Sequence, residues 1–308
     1  MRVLVMGWFS TDDGEITAGD MLACATVRGW LAAAGVPHDV AAIPGFRSDG
    51  DVGAEHADPA RYSHVLFVCG PVASPKITRL LERFGHCRRI AVGVSMTPGA
   101  GGSFDDVLPR DDGAVARPDL SLDAPPAATA VVGVTFGHPQ PEYGDRGRHD
   151  LAHGLVRDLM RQTRAAPLEL DTRLDARDAL SCGTAERFTS LIARVDAVVT
   201  TRLHGLVLAL RAGVPALAVD PIAGGAKVAA QAAALAWPAA RTVDEADVTG
   251  LAGLLDWCLT AEARTRATDC ARAGRGHLRQ THAELLKLLG APRVDPVADG
   301  TASEPGAP

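Results

Sequence analysis

Aromatic residues make up only 4 % of the 308-residue chain. That scarcity argues against a base-stacking nucleic-acid surface and against an aromatic sugar platform. Basic residues are not in excess either. Lys and Arg number 31 against 37 Asp and Glu, a net charge of -6, so non-specific nucleic-acid binding is not expected. The six cysteines (Cys24, Cys69, Cys87, Cys182, Cys258, Cys270) contain no C-x-x-C pair. They read as reduced core thiols of a cytoplasmic protein rather than zinc ligands or disulfides. No run approaches the roughly 20 apolar residues of a membrane span. Met1 to Phe9 is apolar but runs straight into Asp12, Asp13 and Glu15, so it reads as a first strand and not a signal peptide. What is abundant is apolar: 47 % hydrophobic residues, enough for a substantial core.

Strand-like and helix-like segments alternate, which predicts parallel sheets with right-handed crossovers. The first half reads strand (2–6), helix (19–34), strand (38–43), strand (64–69), helix (76–84) and strand (89–95). Residues 97–126 are rich in Gly, Pro and Asp and show no clear element. A loop of that length is uncommon inside a domain and reads as interdomain or lid-like. The second half opens with a strand at 130–136 and continues with a helix (150–164), a short strand (167–170) and a helix (183–195). The expected division is a domain at 1–122, a domain at 123–290 and a disordered tail at 291–308.

The stretch from Ala197 to Asp220, A-V-V-T-T-R-L-H-G-L-V-L-A-L-R-A-G-V-P-A-L-A-V-D, carries the strongest signal. A β-branched run ends at Arg202-Leu203-His204-Gly205, a helix follows, and Gly213-Val214-Pro215 stops it before the next strand. A guanidinium and an imidazole therefore stand past the carboxyl end of a strand, where open α/β sheets bind ligands. A helix N-terminus there favours anions, and Arg202 offers a fork for carboxylate or phosphate. The Gly-rich turn that follows contains Gly224 and Gly225, which would let backbone N–H groups approach a phosphate. Lys227 adds a point charge.

These residues resemble the polysaccharide pyruvyl transferase family. The resemblance rests on V-V-T-T-R-L-H-G-L-V-L-A-L-R-A-G-V-P with A-V-D and Lys227 after it. It also rests on G-W-F-S-T-D-D-G-E-I-T-A-G-D-M-L near the N-terminus, with its Gly19-Asp20 pair, and on Pro118-Asp119-Leu120-Ser121. It implies a GT-B-like α/β fold, two Rossmann-like parallel-sheet domains facing a cleft. It also implies transfer of a pyruvyl group from phosphoenolpyruvate to hydroxyls of a sugar or glycan precursor, forming a ketal. Phosphoenolpyruvate is then a co-substrate, and no cofactor or metal is called for. Arg202, Gly205, Gly224, Gly225 and Lys227 form the expected donor-binding set, with His204 as general acid or donor ligand. Asp12, Asp13 and Glu15 are the expected acceptor contacts, with Asp20 as catalytic base or helix cap.

Other readings stand beside this one. Arg202 could be a structural ion-pair partner and His204 a helix-start residue. His149 and His153 have the i, i+4 spacing of two metal ligands, but no third ligand is evident, so they read as surface histidines with His138. Trp8 either stacks on a sugar or packs under the first turn. A GT-B nucleotide-sugar glycosyltransferase would want an acidic residue on the ribose, and Asp220 could serve. A non-catalytic binding protein with a degenerate site is the third reading. The oligomeric state is not legible.

Overall fold

The computed structural model describes residues 1–12, 15–72, 74–96, 102–114, 116–126 and 128–291. The chain divides into two compact units, Met1–Ala127 and Ala128–Pro308. The tail expected from 291 lies, beyond Ala291, outside the described residues.

The first unit contains β1 (Val3–Met6), α1 (Ala18–Ala33), β2 (His38–Ala42), β3 (Val52–Gly53), β4 (His64–Val68), α2 (Pro75–Glu82), β5 (Arg88–Ser95) and β6 (Asp106–Asp111). Its sheet is ordered β3-β2-β1-β4-β5-β6, and every pairing is parallel. This is the doubly wound order of dinucleotide-binding folds. Alternate residues of β1 feed different cores. Leu4 and Met6 pack with Phe67 and Ile77, whereas Val3 and Val5 pack with Ala23 and Val27. A strand buried on both faces is the reason for the unbroken apolar run. Strand β6 corrects the expectation that 97–126 holds no element. Its sequence, Asp-Val-Leu-Pro-Arg-Asp, occupies a sheet edge with no fully buried residue, where Pro109 is tolerated and no apolar pattern is needed.

The second unit contains β7 (Val131–Thr135), α3 (His149–Gln162), β8 (Ala166–Glu169), α4 (Ala185–Ile192), β9 (Ala197–Thr200), α5 (Leu203–Arg211), β10 (Ala216–Asp220), α6 (Lys227–Ala234), β11 (Ala240–Thr242), α7 (Val248–Cys258) and α8 (Ala261–Leu288). The parallel sheet runs β11-β10-β9-β7-β8. Counted from β7, that is the 2-1-3-4-5 order, whose switch point lies between β7 and β9. Strands β9 and β10 are buried at every position, and β8 is an exposed edge. Both units are thus the Rossmann-like parallel-sheet α/β type expected. Among the described residues, no helix is long and apolar enough to cross a membrane. Nor is any group of three or more His, Cys, Asp or Glu placed to hold a metal ion.

Candidate anion site at the switch point of the second sheet

The switch point between β7 and β9 opens into a cavity of about 560 Å³. Gly137 to Gln140 line it from the loop after β7, Thr201 to His204 from the turn after β9, and Asp220 to Ile222 from the end of β10. His149, Arg173, Lys227 and Val228 complete the wall. The structure therefore brings Arg202, His204 and Lys227 together. It adds Arg173, His138 and His149.

The turn after β9 is held by threonines. Thr200 Oγ1 accepts from Arg202 N at 2.9 Å and donates to Arg202 O at 3.1 Å. Thr201 Oγ1 accepts from Gly137 N at 2.7 Å, which ties the two loops across the switch point. Arg202 is the N-cap residue of α5 and supplies no side-chain cap. Helices α3 and α6 likewise begin, at the cavity, with N-cap residues whose side chains make no capping bond. The first turns of α3 and α5 therefore reach the cavity without a side-chain cap, a setting that favours an anion, while the start of α6 is already held by the Asp220 carboxylate.

The cations already have partners. Arg202 Nη1 bonds Asp171 Oδ1 at 3.1 Å, and Arg173 Nη2 bonds Asp171 Oδ2 at 2.7 Å. Burial pushes the Asp171 carboxyl up, but the hydrogen bonds and charge of Arg173, with the charge of Arg202, hold it below the usual carboxylate range. Lys227 donates to Gln140 Oε1 and lies 5.9 Å from the Tyr143 ring centroid. His204 is exposed at the second position of α5 and makes no hydrogen bond or ion pair with the described residues.

Several expectations are corrected. Gly205 does not line the cavity. It is glycine because a Cβ there would come within 2.2 Å of Thr200 Oγ1 and 2.4 Å of Thr135 Oγ1. Gly224 and Gly225 do not line it either. Both have left-handed φ, +74° and +77°, and their N–H groups are taken by Asp244 Oδ2 at 2.6 Å and Ile222 O at 2.8 Å. They shape the turn and do not cradle a phosphate. Asp220 is 1 % exposed, and its carboxylate accepts from Ile222 N, Ala226 N and Ala229 N at 2.8–3.0 Å. It anchors the start of α6 and is not free to hold a ribose. His149 is not a surface histidine: it is 7 % exposed, and burial pushes its imidazole below the ordinary range. Sequence spacing missed it. The signal available was its place at the first turn of a helix entering a strand-end loop.

In the first unit, Asp20 is neither the N-cap nor a free base. Thr17 is the N-cap of α1, and Asp20 is its capping-box partner three residues on. Asp20 Oδ2 accepts from Thr17 N at 2.9 Å and Thr17 Oγ1 at 2.8 Å. Asp12 and Glu15 are exposed, and Asp13 lies outside the described residues. Trp8 packs on the loop after β4. Its Nε1 donates to Pro71 O at 3.2 Å, and its ring fills the space a Cβ of Gly70 would need.

Residues 144–221 match the polysaccharide pyruvyl transferase family model. The matched segment carries His149, Arg173, Arg202, His204 and Asp220, most of the charged wall of the cavity. No curated protein matches the chain. Solved structures similar to it include Acinetobacter baumannii MurG, at 11 % identity over 93 % of this chain and 99 % of that one, TM-score 0.30. The glycotransferase of kitacinnamycin aligns at 13 % identity over 94 % and 98 %, TM-score 0.34. E. coli heptosyltransferase WaaC with ADP aligns at 13 % over 84 % and 100 %, TM-score 0.28. At such scores the fold description rests on the two sheets themselves.

Proposed function

We propose that the chain transfers the pyruvyl group of phosphoenolpyruvate to hydroxyls of a sugar or glycan precursor, closing a ketal. The observation that carries this reading is the cavity at the β7/β9 switch point, whose wall holds Arg173, Arg202, Lys227 and His204, inside and beside the segment matching the family model. Phosphoenolpyruvate has a carboxylate and a phosphate on one small carbon frame. The guanidinium of Arg202 suits bidentate capture of the carboxylate, and Lys227 suits the phosphate as a point charge.

His204 protonates the methylene carbon, and positive charge develops on the carbon bearing the phosphate. An acceptor hydroxyl bonds to that carbon and gives its proton to the now neutral His204. A second hydroxyl then displaces phosphate, which leaves with the remaining proton, and the ring closes. Imidazole suits both proton steps because its ordinary pKa lies near neutral pH. The nucleotide-sugar alternative loses its ribose ligand, since the Asp220 carboxylate is committed to three backbone N–H groups.

The test is calorimetric titration of phosphoenolpyruvate into the wild type and Arg202→Ala. Loss of a charge-assisted contact should weaken binding by about 2–3 kcal/mol. Arg202→Lys should recover only part. Normal binding by Arg202→Ala sinks the donor assignment. Binding of a nucleotide sugar but not of phosphoenolpyruvate by the wild type moves the chain to the glycosyltransferase reading.

A further inference from the structure

His149 stands in an unusual position for an anion site. It is the first residue of α3, 7 % exposed, and part of the cavity wall. The groups around it come from four elements. Asp150 and His153 share its helix, Asp220 ends β10, Lys227 starts α6, and His138 lies in the loop after β7. Its ring meets His153 edge-on at 6.1 Å, and His153 in turn lies 4.6 Å from the Phe136 ring. His153 Nε2 is sealed without a partner. The His149 nitrogens are not sealed in this way, and no hydrogen bond to a described residue ties them. The ring is therefore backed by His153 and lines both this cavity and the adjoining pocket that includes Arg148 and Asp150.

An empty cavity gives this ring little reason to be charged. Burial opposes the imidazolium; Asp150 and Asp220 offset part of that opposition, His138 and Lys227 add to it, and the net effect holds the ring below its ordinary range. A bound phosphate reverses the local balance. It brings two or more negative charges into a small, partly desolvated space, where an opposite charge within hydrogen-bonding range favours the cationic imidazole.

We propose that His149 is the ligand-linked proton acceptor of this cavity: it is neutral when the site is empty and takes up a proton from solvent when a phosphate-bearing anion occupies it. The proposal rests on the cavity being an anion site, and it deepens the donor reading by naming the group that completes the charge balance. The imidazolium then faces the phosphate through the reaction and gives its proton to that phosphate as the bond to carbon breaks. The phosphate takes the second hydroxyl's proton as well and leaves as dihydrogen phosphate, and His149 returns to neutral. Exposed His204 is left to exchange protons with the carbon and the acceptor.

The experiment is titration calorimetry of phosphoenolpyruvate, and separately of inorganic phosphate, at pH 7.5 in buffers of different ionisation enthalpy. The slope of observed against ionisation enthalpy counts protons taken up. The wild type should take up a sizeable fraction of one proton. His149→Gln should lose most of that fraction, while His204→Gln should keep it. An equal count in wild type and His149→Gln overturns the proposal. Because His149 is buried, a second measurement needs no variant. In the wild type, the NMR titration of one buried imidazole should move to higher pH on adding inorganic phosphate, and no movement overturns the proposal as well. If inorganic phosphate binds with His149-dependent uptake but phosphoenolpyruvate does not bind, the donor reading falls and this one stands. If phosphoenolpyruvate binds without such uptake, the reverse holds. If neither binds, both fall.

Discussion

Gly205→Ala sets two well-known effects against each other at the turn that carries Arg202 and His204. In a helix interior, Ala is favoured over Gly by about 1 kcal/mol, and that alone would stabilise α5. The packing opposes it. The new methyl would come within 2.2 Å of Thr200 Oγ1 and 2.4 Å of Thr135 Oγ1, and both threonines are fully buried. Those hydroxyls share a hydrogen bond at 2.5 Å, and Thr200 Oγ1 also holds both backbone groups of Arg202. Either α5 moves off the sheet, an overpacking cost of about 1–3 kcal/mol, or the threonines rotate and forfeit bonds worth about 0.5–1.5 kcal/mol each. The clash outweighs the helix gain, with a net loss of up to about 2 kcal/mol by the first route or about 3.5 kcal/mol by the second once about 1 kcal/mol of helix gain is subtracted. For a domain of 150–250 residues, a loss of about 2 kcal/mol is roughly 4–8 °C in Tm. Urea titration and a thermal melt measure it. Gly253→Ala on α7 is the control, because a Cβ there meets nothing within 4 Å, and it should gain up to about 1 kcal/mol. If Gly205→Ala proves as stable as the wild type, the close approach of α5 to the threonines is wrong, and so is the account of how the turn is fixed.

Asp220→Ala leaves three backbone donors without their acceptor and should cost about 3–5 kcal/mol; an unchanged urea midpoint would return Asp220 to the pool of free ligand groups. His204→Gln should lower kcat by roughly 10²–10⁴ with an unchanged melting curve, since no described residue bonds its ring. A rise in KM alone would make His204 a donor contact and require another proton source. Acid should destabilise the second unit through His149 and His153, whose folded-state affinity for protons is lowered chiefly by burial. Their neutral forms are favoured on folding, so the unfolded chain binds protons first. Stability is full above the ordinary imidazole value of 6.5 and falls as pH drops through and below it. Urea midpoints at pH 7.5 and 5.5 should differ more in the wild type than in the double variant His149→Gln/His153→Gln.

Apolar periodicity carried most of the fold, because a strand buried on both faces has no other way to satisfy its surroundings. Val3 to Met6 and Ala197 to Thr200 were legible for that reason. Strand β6 was not, because an edge strand that buries little needs no pattern. The charged wall was half legible. Arg202, His204 and Lys227 stand at strand-to-helix turns, and position alone points them to the ligand end of the sheet. Glycine and aspartate misled. The same residue types serve a ligand when their backbone or carboxyl groups are free, and serve the fold when those groups are already bonded. Gly224, Gly225, Asp20 and Asp220 all proved to be bonded, and nothing in local sequence reports that Asp244 reaches Gly224 or that Asp220 gathers three N–H groups. His149 failed in the opposite direction, since burial is decided by what packs around a helix start and not by the helix's own sequence. The residues that combine strand-end position with an uncommitted side chain are His204 and His149. One is exposed and one buried, and under the proposed reaction the exposed ring exchanges protons with carbon while the buried ring matches the charge of the phosphate.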